Sequence, residues 1–459
     1  MKVMPPINQR NMAGRIKMLV AAVLLSVILP SLTKASTDTL HLSFDDVIAI
    51  AFERNPTLHV AGLEIESAEL GFREVRGRYL PSLNLSGSYN RNIKRPVIFL
   101  PEDSPFGDGV LEVGSENSYM AVAAASMPLY NRGLNQSMRV ARTEKSLARE
   151  QFRGSKIELE YNVQLAFFDV LLAGESMNVM QKSFANAKEN LERTRHMYHQ
   201  GMVAEYDLIR AEVQTENLRP NVLQAENAYE VTLNYLKALI GLDKAQPINI
   251  VGSLSDMALN RLADFNIPQA DRNLGRNTDL VQMDLQLNLL TQQAEMVRAN
   301  GLPSLDLAGN YQYQTESNHF RFADYRWVET FSAGLRLTVP LFNGFAVRSQ
   351  AQQLEIIGEQ IRLQRDYLKD NLNIQLDNIL RSMTVAVEKS SNARSNVRMA
   401  ERGYEIAKTR YETGQGTLME LNDSEIALTQ ARFNLLQAKH EILHAKAEYD
   451  KFIGENKNM

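Results

Sequence analysis

Along this chain the spacing of apolar residues changes period twice, and in the same order each time. Long stretches with apolar residues every three or four positions predict helices, and each leads into a segment of alternating apolar and polar residues, which predicts a strand. The change falls on a Leu-Pro-Ser-Leu motif at residues 80–83 and again at residues 302–305. Because an internal repeat decides the architecture, we interpret the chain as two similar halves.

Each half is predicted to begin with helix. Leu42 to Arg54 has the pattern of a short amphipathic helix capped by Ser43. Asn55-Pro56 interrupts it, because proline disfavours helix in the residue before it, and the periodicity resumes from Thr57 to Arg78. The corresponding long segment of the second half is Asp279 to Ala299.

Each motif opens a strict alternation, and each alternating segment has a partner after a polar loop. The partners are Tyr119 to Met127 in the first half and Thr330 to Val339 in the second. Segments of about 10 residues with one polar face are typical of transmembrane β-barrel strands. A half-exposed sheet in a water-soluble protein has the same alternation, so the pattern alone leaves both alternatives open.

The loops between the paired strands are long. Arg91 to Asn117 is rich in Pro, Gly and Asp, and Glu316 to Val328 is polar and aromatic, with the only tryptophan of the chain, Trp327. Long loops at one end fit an outer-membrane barrel. Aromatic residues near strand ends fit a belt at the membrane interface, but packing within the loops is an equal alternative.

Both strand pairs end in proline, Pro128 and Pro340, where strand pairing is expected to stop because proline cannot donate to the ladder. A helical pattern then runs to Tyr198 and Tyr411. At about 1.5 Å per residue, each helix would be about 98 Å long. Helices of this length imply coiled-coil-like packing rather than a compact globule.

A matching turn follows each long helix, and helical pattern then returns from Ala204 to Ile240 and from Leu418 to Phe452. Pro220 is expected to kink the first of these. The segment from Gly241 to Pro268 is mixed and irregular, and we interpret it as a connector packed around the helices.

This arrangement predicts a shared channel. Four strands cannot close a membrane barrel, since the smallest have about eight, and open sheet edges are not tolerated in lipid. Several chains would therefore share one barrel, and the long helices would continue it as a tunnel. Such a conduit is not the architecture of an enzyme.

Composition narrows the function further. A net charge of −4 and a pI of about 6.1 leave no basic surplus for nucleic acid. The absence of cysteine excludes disulfides, thiolate catalysis and a lipid anchor after a signal sequence. Residues 1–35 have a basic start and an apolar run typical of a secretory signal, with an N-terminal membrane anchor as the alternative. Since no later run of about 20 apolar residues occurs, we expect an exported chain without a transmembrane helix.

One motif suggests chemistry that the rest of the chain does not support. Residues 440–444 match the zinc-protease pattern H-E-x-x-H. Catalytic zinc needs a third protein ligand, and the expected continuation fails at Ala447 and Asp450. We therefore predict surface histidines, and no catalytic residue, metal or cofactor.

With these features the chain resembles the TolC-like outer-membrane factors. The resemblance lies in the two halves, the Asn-Pro helix start, the Leu-Pro-Ser-Leu motifs, the Pro-Leu exits and the Tyr-x-x-Gly turns. It implies a mixed α+β membrane protein, a homotrimer whose shared 12-stranded transmembrane β-barrel continues into a periplasmic barrel of 12 long helices. The domains it implies are the signal peptide 1–35; a first repeat 36–250 with strand pair 82–128 and helical hairpin 134–241; a connector 251–269; and a second repeat 270–459 with strand pair 304–340 and hairpin 345–453.

The resemblance also implies the function and the partners. The protein would be the exit duct of a tripartite efflux pump in the outer membrane of a Gram-negative bacterium, passing drugs and toxic compounds outward. Its partners would be a periplasmic adaptor, an inner-membrane transporter and outer-membrane lipid. The alternatives are the channel of a type I protein secretion system and, more remotely, a periplasmic coiled-coil scaffold.

A gate at the periplasmic tip is implied by position in the family. Its acidic pair falls on Glu420 and Asp423, and Asp207 is similar to an aspartate that bonds across to the counterpart of Tyr411. Gly416 stands where some members carry a locking arginine. Capping is the alternative role for Glu420, three residues after Thr417.

Two further sets of positions complete the implied sites. The helix turns that would dock the adaptor contain Gly201, Val203, Gly414, Gly416 and Thr417. The junctions between helix and strand contain Pro81, Pro128, Pro303 and Pro340.

Overall fold

The computed structural model describes residues 39–100, 109–263 and 265–454. The predicted signal peptide, residues 1–35, lies outside the described residues. Contacts divide the chain into two units, one of Met1–His41 with Ala245–Asn249 and the other of Leu42–Lys244 with Ile250–Met459. In the smaller unit the Leu40 N–H donates to the carbonyl of Pro247 at 3.1 Å. Two short strands, β1 Leu40–Leu42 and β6 Ile248–Ile250, lie partly in this unit, and the other helices and strands belong to the larger one.

The helices and strands follow one another in an order that occurs twice: helix, two long strands, a long helix and a shorter helix. The strands are β1 Leu40–Leu42, β2 Ser82–Arg91, β3 Val97–Leu100, β4 Gly109–Glu112, β5 Asn117–Asn131, β6 Ile248–Ile250, β7 Ser304–Ser317 and β8 Val328–Thr338. The helices are α1 Phe44–Arg54, α2 Pro56–Gly77, α3 Arg132–His199, α4 Glu205–Leu239, α5 Leu254–Ala263, α6 Thr278–Ala299, α7 Ala346–Glu412 and α8 Leu418–Ile453.

The first helix begins as the sequence predicts. Ser43 caps α1, and its Oγ accepts the Asp46 N–H at 3.3 Å. The Asp46 carboxylate in turn accepts the Ser43 N–H at 3.0 Å, which completes a capping box.

The same joint ties helices together in both halves. Asn55 accepts the N–H groups of Thr57 and Leu58 at the start of α2, while its amide donates to the Leu239 carbonyl at 2.8 Å. Asn277 caps α6 in the same way, and its amide donates to the Phe452 carbonyl at 2.9 Å. One asparagine thus satisfies the beginning of one helix and the end of another.

Four of the strands form an antiparallel sheet in the order β2-β5-β7-β8. Its register places the apolar residues of all four strands on one face, for example in the row Leu85, Ala123, Tyr311 and Phe331. The adjacent row on the opposite face is Asn84, Ala124, Asn310 and Ser332. The predicted alternation therefore becomes one apolar and one mostly polar face.

The end of the first strand pair differs from the prediction. β5 does not stop at Pro128 but continues to Asn131, with a register shift between Pro128 and Tyr130. A bulge accommodates a residue that cannot donate to the ladder, which is why pairing survives the proline. The first strand pair thus ends at residue 131, whereas β8 ends at Thr338, before Pro340, as predicted.

The long helices are continuous. α3 has 68 residues and α7 has 67, so each is about 100 Å long at about 1.5 Å per residue. α4 continues through Pro220 as one helix. By length and composition alone, α3 contains a window apolar enough to cross a membrane, and 39% of that window is buried within the protein.

The connector is more regular than its sequence suggests, because it contains α5. This helix lies on α8, where Lys439 Nζ donates to the Ser255 Oγ at 2.5 Å. Arg261 lies over the rings of Phe44 and Phe168, 4.7 and 5.5 Å from their centroids. Burial lowers the pKa of Arg261, and nearby Asp450 opposes that effect.

Candidate functional site

Two helical hairpins, α3/α4 and α7/α8, end in the same kind of turn. After α3 the backbone turns at Gly201, whose φ is +72°, and the Met202 N–H donates to the Met197 carbonyl at 2.8 Å. After α7 the turn contains Gly414, whose φ is +71°. Glycine adopts this left-handed conformation without the steric cost that a side chain adds, so both positions are explained by backbone geometry.

Gly416 is explained by a close approach instead. Its N–H donates to the Arg410 carbonyl at 2.9 Å. A Cβ added to Gly416 would lie 3.0 Å from the Arg410 Cβ and 3.1 Å from the Tyr411 nitrogen. A side chain at this position would therefore require its neighbours to move by a few tenths of an ångström.

Beneath the turns the two hairpins share one apolar cluster. It contains Leu191 of α3, Ala211 of α4, Tyr404 and Tyr411 of α7, and Leu418, Leu421 and Leu428 of α8. All four helices contribute, so the two hairpins pack against each other as a four-helix unit. In the turns themselves Val203 is half-buried, whereas Gly201, Gly414 and Thr417 are exposed.

Tyr411 is 3% exposed, and its hydroxyl lies 2.8 Å from the Thr194 Oγ1 of α3. Burial raises the pKa of Tyr411, the Thr194 hydrogen bond lowers it, and the charge of nearby Asp207 raises it further. Within one chain Tyr411 therefore bonds to Thr194, and Asp207 acts on it only through its charge.

The acidic pair Glu420 and Asp423 is exposed near the start of α8. Thr417 caps this helix, and its Oγ1 accepts the Glu420 N–H at 3.1 Å. The Glu420 carboxylate lies 3.7 Å from the Arg410 guanidinium. The backbone N–H of Glu420 thus takes part in capping. Its carboxylate is exposed to solvent and pairs with the Arg410 guanidinium.

Sequence reasoning missed Arg410, Thr194 and Arg193, which complete the tip. Arg410 also donates to the Gln415 carbonyl at 3.1 Å. Its side chain therefore both stabilises the turn and gives it a positive charge. Arg193 of α3 pairs with Glu412 at the end of α7. The contacts of Thr194 with Tyr411 and of Arg193 with Glu412 join segments far apart in the chain, whereas those of Arg410 lie around one turn. No local pattern distinguishes these residues from ordinary surface charges.

The four-stranded sheet carries a second candidate surface. Its apolar face is uncovered in the described part of the chain: Leu83 is 78% exposed, Leu85 80% and Phe331 73%. A water-soluble sheet buries its apolar face, so this exposure favours the transmembrane alternative. β2 and β8 lie at the two edges, each with one paired side.

The predicted junction prolines lie where helix and strand meet. Pro81 and Pro303 immediately precede β2 and β7. Pro128 lies within β5, and Pro340 lies in the loop between β8 and α7. In that loop Phe345 has a φ of +63°, an uncommon conformation for a residue with a side chain.

The H-E-x-x-H residues have structural partners. His440 Nε2 lies 2.8 Å from the Asp169 Oδ1 of α3, and the His444 ring lies 6.4 Å from the Tyr161 ring. Among the described residues, no three His, Cys, Asp or Glu side chains are placed to hold a metal ion. These histidines connect α8 to α3.

Comparisons with known proteins agree with this geometry. A family model for outer membrane efflux proteins matches residues 47–242 and 270–455. The outer membrane protein TolC of Vibrio cholerae is 22% identical over 397 residues, 84% of either chain. The alkaline protease secretion protein AprF of Pseudomonas aeruginosa is 23% identical over 423 residues, 90% of this chain and 82% of AprF. The Campylobacter jejuni CmeC outer membrane channel has the same fold, with a TM-score of 0.70 at 18% identity over 90% of this chain and 85% of CmeC.

Proposed function

Because the chain belongs to the outer membrane efflux protein family, it is an outer-membrane exit duct and not an enzyme, and we propose that it works as a homotrimer. In this proposal three copies carry small molecules, such as drugs and toxic compounds, from an inner-membrane transporter and its periplasmic adaptor to the exterior. Each chain contributes two repeats. The surrounding outer-membrane lipid is the third kind of partner.

The observation that carries the proposal is the exposed apolar face of a sheet with two open edges. Unpaired backbone groups are not tolerated in lipid, so β2 and β8 need partners. Three chains with four strands each would pair β8 of one copy with β2 of the next and close a barrel of 12 strands. Its polar face would then line an aqueous lumen.

The long helices would continue this lumen into the periplasm. α3 begins at the residue after β5 ends, and α7 begins eight residues after the last residue of β8. Four helices of each copy, α3, α4, α7 and α8, would give a tunnel of 12 helices.

The gate of this tunnel would lie at the tip. Glu420 and Asp423 are exposed, so three copies would bring six carboxylates near one axis, where they would attract cations. Asp207 and Tyr411 would hold the closed state, with Asp207 bonding across to a Tyr411 when the copies assemble. The turns with Gly201, Val203, Gly414, Gly416 and Thr417 would dock the adaptor.

Type I protein secretion is the second candidate function. The similarity to AprF supports it, because AprF is named for the secretion of alkaline protease. The channel itself does not separate the two functions, since the inner-membrane transporter selects the cargo.

Gene deletion with complementation tests the proposal. For an efflux duct we expect the deletion strain to become sensitive to drugs, bile salts or metal ions, with an unchanged set of secreted proteins. Loss of one secreted protein without any change in sensitivity would support the secretion function instead. A strain unchanged in both assays would contradict the proposal.

A further inference from the structure

Glu425 is a carboxyl group placed on the buried face of α8. It follows Leu421 by four positions and precedes Leu428 by three, so the three residues share one side of the helix. Leu421 and Leu428 are 0% and 2% exposed, and Glu425 is 7% exposed. Unlike Glu420 and Asp423, this acidic residue is directed into the protein rather than toward solvent.

The partners of Glu425 come from both hairpins. The Asn186 amide of α3 lies 3.1 and 3.2 Å from the two carboxyl oxygens. Tyr404 of α7 and Ser183 of α3 lie near the carboxyl and lower its pKa through their hydroxyl groups. Glu425 therefore joins α8 to the opposite hairpin at a point about 12 Å from the Thr194–Tyr411 bond, eight residues back along α3.

No positive charge lies close enough to neutralise the ionised Glu425 carboxylate in the described part of the chain. Arg432 acts on it from its own helix, but pairs with Glu401 at 3.1 Å. Tyr404 faces it from α7, and Glu189 of α3 adds negative charge near Tyr404.

This environment favours the protonated carboxyl. Burial raises the pKa of Glu425, and the hydrogen bonds from Asn186 and the nearby hydroxyls of Ser183 and Tyr404 only partly oppose that effect. Burial also raises the pKa of Tyr404 to about 12, so this neighbour stays neutral while the carboxyl titrates.

We propose that Glu425, held by Asn186 of the opposite hairpin, is a proton-controlled latch between the two hairpins. A protonated carboxyl keeps the hairpins packed and the tip closed, and an ionised carboxyl loosens them. The consequence for transport rests on the proposed function, because loosened hairpins open a path only if the tip is a gate.

The direction of the pH effect follows from linkage. The closed arrangement holds the proton more tightly than an arrangement in which Glu425 meets water, so acid favours the closed state. This stabilisation is fully present below the ordinary carboxyl pKa of the loosened state. It is lost as pH rises through the higher pKa of the closed state. Each pKa unit between the two states changes the equilibrium about tenfold per copy.

Channel recordings of the purified full-length protein in planar bilayers test the latch, from about pH 4 to about pH 9. We expect the open probability to rise with pH in the wild type. In Glu425→Gln, which keeps the shape without the charge, that rise should shrink at least tenfold and the channel should stay mostly closed. Glu216→Gln is the matched control, because Glu216 is an exposed carboxylate of α4 paired with Arg219. It should behave like the wild type.

The same pH dependence in Glu425→Gln as in the wild type would overturn the latch while leaving the channel function intact. Absence of any conductance from trimeric protein would contradict the proposed function instead.

A second readout tests the latch without conduction. Thr194 is 0% exposed between the hairpins, and the natural chain has no cysteine. A Thr194→Cys thiol should be labelled faster at alkaline pH with Glu425 present than in the Glu425→Gln background, and the ratio cancels the intrinsic pH dependence of thiols. Equal rates in folded protein of both backgrounds would overturn the latch.

Discussion

At the scale of single residues, the tip depends on positions where backbone and side chains approach too closely for a substitution. Gly416 is the clearest case, because the Arg410 side chain and the Tyr411 backbone occupy the space around it. The tyrosine below the turn has the opposite property: it fills its site, and its hydroxyl depends on one partner, Thr194. Both residues are closely packed. Adding a methyl group at Gly416 and removing the hydroxyl of Tyr411 test the two contacts.

We predict that Gly416→Ala weakens the packed tip by about 1–2 kcal/mol, because the added methyl group forces the turn to shift. Hydrogen exchange of the tip amides measures this loss as faster local opening. Gly403→Ala is the control, since no atom lies within 4 Å of the added Cβ and alanine favours helix. Equal protection in Gly416→Ala and Gly403→Ala would contradict the close approach.

We predict that Tyr411→Phe costs about 1 kcal/mol, because it removes the hydrogen bond between the buried Tyr411 hydroxyl and the Thr194 Oγ1, which then keeps only its bond to the Asn190 carbonyl. Its effect on channel opening should not change through the neutral pH range, since burial raises the pKa of Tyr411 and the hydroxyl stays protonated there. Bilayer recordings measure the opening, and Tyr198→Phe in the first turn is the control. A pH-dependent effect of Tyr411→Phe near neutrality would show that another group titrates with it.

At the scale of helices and strands, the sequence predicted the type and the order of the elements well. It predicted the residues at which they end less well. The period of 3.6 and the period of 2 identified helices and strands because each buried or apolar face is local to one segment. The end of β5 was wrong by three residues, because a bulge depends on pairing with β7 and leaves no local signal. The contacts of Asn55 and Asn277 with the ends of α4 and α8 were likewise beyond the sequence, since they join residues far apart.

We predict that the two functions of the asparagine joint can be separated. Asn55→Asp keeps the oxygen that caps α2 but loses the amide that donates to Leu239, whereas Asn55→Ala loses both. Asn55→Ala should therefore destabilise by about 1–2 kcal/mol, and Asn55→Asp by less. Thermal unfolding measures which of the two variants loses more stability, with the exposed Asn373→Ala as the control. Equal losses in both variants would show that the amide donor to Leu239 alone matters and that the cap contributes nothing.

At the scale of the whole molecule, the candidate gate could be placed by resemblance but not explained by it. The positions of Glu420, Asp423 and Tyr411 followed from a turn that the sequence displays. The pairing of Arg410 with Glu420 depends on the geometry of the turn between α7 and α8. The burial of Glu425 depends on how four helices meet, which no single segment encodes. Closure of the sheet cannot be read from one chain at all, because in the proposed trimer the partners of β2 and β8 belong to other copies.

Electron cryomicroscopy of the protein, purified from outer membranes and placed in nanodiscs, tests the shared duct most directly. We predict three copies around one axis, with β8 of each copy paired to β2 of the next, the apolar rows facing lipid and the polar rows facing a continuous lumen. A folded single copy whose apolar sheet face is covered by its own chain, or a sheet whose edges stay open, would contradict the account.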